Sequence, residues 1–152
     1  MIRDDQVAER TQRPGHYLLL QQRVVLLPSP AAGVDAVATV PATAQWELIS
    51  LQAQLVTSAA VANRVPHLVL TDGQGHSLFN FPAANNQLAG VTKQYSGGVA
   101  DVAADFDNAA ALVLPYGLKL LQGWTVGFAT TALDVADQWS KFNLLVKEWL
   151  SF

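Results

Sequence analysis

The chain has 152 residues, of which 51% are apolar and only 14% charged, with a formal net charge of −3 and no cysteine. That length suits one domain whose core needs neither disulfide nor structural metal, and the lack of cysteine excludes thiolate metal sites and a cysteine nucleophile. Nine lysines and arginines, scattered without a basic stripe, exclude the clustered phosphate contacts of a nucleic-acid reader.

A soluble domain usually carries about one-quarter charged residues, so much of this surface is expected to be neutral. A neutral surface of this kind is best kept from precipitating when other subunits cover part of it, which favours an assembly component. The charge is also uneven: residues 28 to 115 hold Arg64 and Lys93 against Asp35, Glu47, Asp72, Asp101, Asp105 and Asp107.

Residues 1 to 15 contain Arg3, Asp4, Asp5, Glu9, Arg10 and Arg13, almost no apolar periodicity, and a closing Pro14-Gly15. They predict an extended arm, with Arg3, Arg10 and Arg13 as contacts to a neighbouring subunit, ahead of one domain over 16 to 152. The N-terminus lacks an apolar signal core, and the longest apolar stretch, Tyr17 to Leu27, is interrupted by Gln21, Gln22 and Arg23. Neither a cleaved signal nor membrane insertion is expected.

Pro28 to Gly33 is turn-rich, and Val34 to Thr43, with Pro41 inside it, reads as a loop or an edge strand. From Trp46 the period is two: Ile49, Leu51, Ala53 and Leu55 fall on one face and Ser50, Gln52 and Gln54 on the other. Pro66 to Pro82 predicts a hairpin, His67 to Thr71 and His76 to Phe81 flanking Asp72-Gly73-Gln74-Gly75. A short strand is expected near Val91 to Tyr95, and one or two helical turns within Val99 to Phe106.

After the Pro115-Tyr116-Gly117 turn, Leu118, Leu120, Trp124, Val126 and Phe128 alternate with polar positions, and Gly123 and Gly127 mark bulges or close backbone approach. In the last strand Phe142, Leu144, Val146 and Leu150 share one parity. The whole predicts an all-β fold: an antiparallel β-sandwich, jelly-roll-like, of about eight strands behind an extended N-terminal arm.

Catalytic patterns are sparse. His16, His67 and His76 show no metal-ligand spacing, although His67 and His76 could face each other across the hairpin. Asp101, Asp105 and Asp107 do not follow the alternating calcium-loop pattern and read as a solvated acidic loop. Ser96-Gly97-Gly98 is no nucleophile elbow, and Gly73-Gln74-Gly75 lacks the third glycine and helix of a dinucleotide loop. No enzyme activity, catalytic residue, cofactor or metal is expected.

Of Trp46, Trp124, Trp139 and Trp149, strand parity puts Trp139 and Trp149 opposite Phe142, Leu144 and Val146. Both are therefore expected to look outward as interface anchors, a role that tryptophan favours.

The stretch Gln45-Trp46-Glu47-Leu48-Ile49-Ser50-Leu51-Gln52-Ala53-Gln54-Leu55-Val56-Thr57-Ser58, then Asn63-Arg64, the Asp72-Gly73-Gln74-Gly75 turn and Leu133-Asp134-Val135-Ala136-Asp137-Gln138-Trp139 resemble segments of small structural proteins of tailed bacteriophages. The resemblance spans about residues 45 to 150. It implies a β-sandwich virion component, a capsid decoration or cement protein or else a neck or tail accessory subunit, assembled in the host cytoplasm. Its implied partners are the major capsid protein or other virion proteins and further copies of itself, with no nucleic acid and no membrane. A carbohydrate- or receptor-binding module of a tail fibre is the alternative.

Overall fold

The computed structural model describes residues 17–98 and 109–151. The predicted arm with Arg3, Arg10 and Arg13, and the segment holding Asp101, Asp105 and Asp107, lie outside the described residues.

Among the described residues ten strands follow in order: β1 (Tyr17–Leu26), β2 (Val37–Thr39), β3 (Ala44–Val56), β4 (Val65–Thr71), β5 (Ser77–Pro82), β6 (Thr92–Gly98), β7 (Ala109–Val113), β8 (Lys119–Leu120), β9 (Thr125–Thr131) and β10 (Gln138–Ser151). Among the described residues no helix occurs, and so none long and apolar enough to cross a membrane. One sheet runs β1-β10-β3-β6-β7, with β8 beside the start of β3, and the other runs β2-β9-β4-β5.

The pairing explains the architecture. The β4–β5 hairpin is nested inside the antiparallel pair β3–β6, that inside β2–β9, and that inside β1–β10. Successive nested pairs alternate between the two sheets, so the chain is one long hairpin rolled into a sandwich, which is a jelly roll. Eight strands make the roll; β7, parallel to β6, and the short β8 are additions between β6 and β9.

The core is built from alternate positions of both sheets: Trp46, Leu48, Leu51, Leu55, Tyr95, Trp139, Phe142 and Leu144 from one, Ala38, Leu68, Leu70, Val126 and Phe128 from the other. The Phe128 and Trp139 rings stack across the gap with centroids 4.4 Å apart. Burial of each large side chain contributes about 1.5–3 kcal/mol before entropy is counted.

Two bulges reset the parity that the sequence suggests. In β10, Lys141 and Phe142 together oppose Ala53, because Ser140 pairs with Gln54 and Asn143 with Gln52, and Lys141 takes a positive φ of 51°. The extra residue turns Trp139 inward, to the same side as Phe142, and Trp139 is 0% exposed. The expectation that Trp139 looks outward is therefore wrong. In β3 the extra residue is Ile49, so Trp46 and Leu48 before it and Leu51, Ala53 and Leu55 after it are buried while Ile49 is not.

The other expected elements fall close to their places. Val34 to Thr43 contributes the edge strand β2. Gly123, at φ 77°, turns the chain between β8 and β9 and so divides the predicted continuous strand. Gly127 is a point of close approach, packed against the backbone of Ala36 and Val37.

Candidate interaction surfaces

The β4–β5 turn closes on Asp72. Its Oδ1 accepts from the amides of Gln74 and His76 at 2.8 and 2.9 Å, and its Oδ2 lies 2.9 Å from His76 Nδ1. The His76 side chain, then its amide, hold the Asp72 carboxyl below its ordinary value. His67 pairs instead with Pro82 at the far end of the hairpin, so the two histidines do not face each other. No group of three or more His, Asp or Glu side chains among the described residues is arranged to hold a metal ion.

The tryptophans divide by role. Trp46 is buried and donates through Nε1 to Glu148 Oε2 at 2.6 Å, while Arg23 Nη1 reaches Glu148 Oε1 at 2.8 Å. One buried carboxylate thus ties β1, β10 and β3 together. Trp124 packs partly buried against the core. Trp149 stands half-buried on the outer face, with Lys119 Nζ 5.4 Å from its ring centroid.

Among the described strands β1 is one edge of the first sheet, and from Gln21 to Val24 both of its faces are exposed. Val24 is 56% and Leu26 76% exposed. Leu145, paired with Val24, continues this apolar row inward across the outer face.

Among the described residues, no outward position of the strands of the second sheet is Asp, Glu, Lys or Arg. Their outer face presents Val37, Thr39, Val65, Val69, Thr125 and Ala129, with His67, Asn80 and Thr131 at one end. There a shallow pocket of about 270 Å³ is lined by Asp35, His67, Asn80, Ala129, Thr130 and Thr131. Its polar groups are fixed from behind. Asp35 accepts from the Thr130 amide at 3.0 Å and from Trp139 Nε1 at 3.2 Å, and His67 Nδ1 lies 2.9 Å from Asn80 Oδ1.

A second polar cluster lies inside the molecule. Arg64 is fully buried; its Nε donates to Asp137 Oδ2 at 2.9 Å and its Nη2 to Asp137 Oδ1 at 3.1 Å, while Nη1 caps the carbonyls of Ala60 and Ala62. Asp137 also accepts from the amides of Ser58 and Asp134. Burial alone would raise the Asp137 carboxyl, but the bonds from Arg64, Ser58 and Asp134 outweigh it and hold the group below its ordinary value. Beside it Gln87 donates to the carbonyls of Leu55 and Val91 and accepts from the Tyr95 hydroxyl at 2.8 Å. Burial pushes the Tyr95 phenol up.

This cluster fastens the segments at 57–64, 83–91 and 133–138 to one end of the sandwich. No buried side-chain nitrogen or oxygen among the described residues lacks a partner, which is the pattern of a structural network. Sequence reading missed it: Arg64 and Asp137 are 73 positions apart and no spacing rule joins them.

The sequence matches no protein-family model and no curated protein. Among solved structures, a chain in the structure of infectious bursal disease virus Gt strain aligns with 88% of this chain at 13% identity and a TM-score of 0.29. This chain spans 32% of that chain's length.

Proposed function

We propose that this protein is a non-catalytic virion structural protein of the tailed-phage kind, and specifically a capsid decoration or cement subunit that holds a shell together through surface contacts and its N-terminal segment. The observation that carries the reading is the placement of exposed apolar side chains, Val24 and Leu26, along a strand that is an edge among the described residues, in a jelly roll whose second sheet has no Asp, Glu, Lys or Arg on the outward positions of its described strands. Large neutral and apolar surfaces are where subunits meet. The sequence resemblance to small phage structural proteins supports the same reading.

The test is co-sedimentation of the purified chain with capsid shells. Saturable binding at fixed stoichiometry, weakened when residues 1 to 15 are deleted, is expected. A chain that stays in the supernatant at every ratio overturns the decoration role and moves the reading to a neck or tail subunit.

The pocket beside His67 favours a second reading, a glycan- or receptor-binding module, because it offers Asp35, His67, Asn80 and Thr131 within one concavity. A glycan array tests it: hits abolished by His67→Ala support it, and an array without hits removes it.

A further inference from the structure

We infer that β1 is a docking edge for β1 of a second copy of this chain, the two strands pairing antiparallel about a two-fold axis to join their first sheets into one. The inference extends the surface-contact reading by naming the partner and the strand.

The edge is open in a specific way. Leu27 N–H donates to the Phe142 carbonyl at 3.0 Å, and the β1–β10 register runs without a shift from Leu19 to Leu26. In an antiparallel ladder the bonding direction alternates, so the odd residues of β1 bond to β10. The backbone N–H and C=O groups of Leu20, Gln22, Val24 and Leu26 therefore point away from the sheet. Among the described strands β1 has a neighbour on one side only.

Natural edge strands are usually blunted by proline, bulges, short length or charged side chains. Between Leu19 and Leu26 there is no proline and no bulge, and the single charge, Arg23, is matched by Glu148. The other sheet differs: β5 has a register shift after Ser77 and ends in Pro82, and β2 is three residues long. β1 has its own register shift between Tyr17 and Leu19, but beyond it the regular run of eight residues is longer than β2, β5 or β7, the opposite edge of its own sheet.

Charge selects a second copy as the occupant. With Arg23 matched, the edge is neutral and opposes itself without repulsion, whereas a charged strand would bring charges onto the apolar row of Val24 and Leu26. The bonding pattern also fixes the register, since only even residues can exchange bonds across the axis. Placing Gln22 opposite Gln22 of the second copy sets Val24 against Leu20 and Arg23 against Gln21, where an amide can accept from the guanidinium. The neighbouring register, Gln22 against Val24, would place the two Arg23 side chains opposite each other, where neither guanidinium finds the Gln21 amide as an acceptor.

The experiment is sedimentation velocity on the full chain alone, from about 1 to 100 µM, with hydrogen exchange at both ends of that range. A monomer–dimer equilibrium is expected, with the amides of Gln22 and Val24 slowed only in the dimer and that of Arg23 slow throughout. Val24→Lys, a solvent-edge change that leaves the β10 ladder intact, is expected to weaken the dimer about tenfold or more. Gln22→Lys is a second variant and is expected to act in the same direction, since its neighbour on β10 is Lys147 and offers the new charge no partner on the axis. A chain that is monomeric throughout, or a dimer that both variants leave unchanged, overturns the inference. Because no shell is present, failure here leaves the co-sedimentation result standing on its own.

Discussion

Trp139 of β10 and Phe128 of β9 stack across the two sheets at 4.4 Å with their planes 17° apart, and Tyr95 and Phe142 close around the pair. The same Trp139 Nε1 reaches Asp35 and Thr130 at 3.2 Å, so the indole is fixed at both its apolar face and its polar edge. Trp139→Ala is expected to cost about 3–5 kcal/mol, the range for emptying a large aromatic site. Trp149→Ala, on the half-buried outer face, is expected to cost about 1 kcal/mol or less. Urea denaturation of the two variants side by side measures the contrast; equal losses would contradict this division of the tryptophans.

Trp139 also shows where sequence reading stops. Alternation along β3, the hairpin around Asp72-Gly73-Gln74-Gly75 and the absence of helical periodicity made the sandwich legible, because each is a local consequence of a two-residue period or of a turn's φ angles. A bulge is not local in that sense. The extra residue at Lys141 answers to the register with β3, and nothing in Gln138-Trp139-Ser140-Lys141-Phe142 announces it. Counting parity straight through it placed Trp139 on the wrong face. The Arg64–Asp137 pair was hidden for a related reason: its partners meet only after the roll is closed. The surface was legible only as composition, since low charge favours subunit contacts in general and singles out no strand.

Asp137 gives the stability a pH dependence of known sign. Its carboxyl sits below the ordinary value of 3.8 in the folded state, so the stabilisation it contributes is present above the unfolded value and is lost as pH falls through the folded one. The denaturation midpoint is expected to start falling near pH 4 and to continue below it. Asp137→Asn keeps the shape but leaves the buried Arg64 guanidinium without its counter-charge, and is expected to cost about 3–5 kcal/mol at pH 7. Its midpoint should then fall less than the parent's between pH 4 and pH 2. Denaturant titrations at several pH values check both statements, and a variant that tracks the parent's acid limb would place the titrating group elsewhere.

Gly127 tests how closely the second sheet is packed at its edge. A Cβ at this position would lie 2.3 Å from the Ala36 carbonyl oxygen and 2.7 Å from Val37 Cα, and both obstacles are backbone atoms that no rotamer change can move. Room can come only from shifting β2, whose Val37 pairs with Gly127 and which is held by three residue pairs. Gly127→Ala is therefore expected to destabilise the fold by about 1–3 kcal/mol, as overpacking does. The damage should be concentrated in β2, with faster exchange of the Phe128 amide that bonds Ala36 O at 2.9 Å. Gly73→Ala is the control, since a Cβ there meets nothing within 4 Å, and a change within about 0.5 kcal/mol is expected. Hydrogen exchange read alongside the denaturation midpoint separates a local release of β2 from a loss spread over the whole sandwich. If Phe128 stays protected in Gly127→Ala while global stability drops, the strain has passed into β9 instead, and the apposition of β2 and β9 is more rigid than the length of β2 suggests.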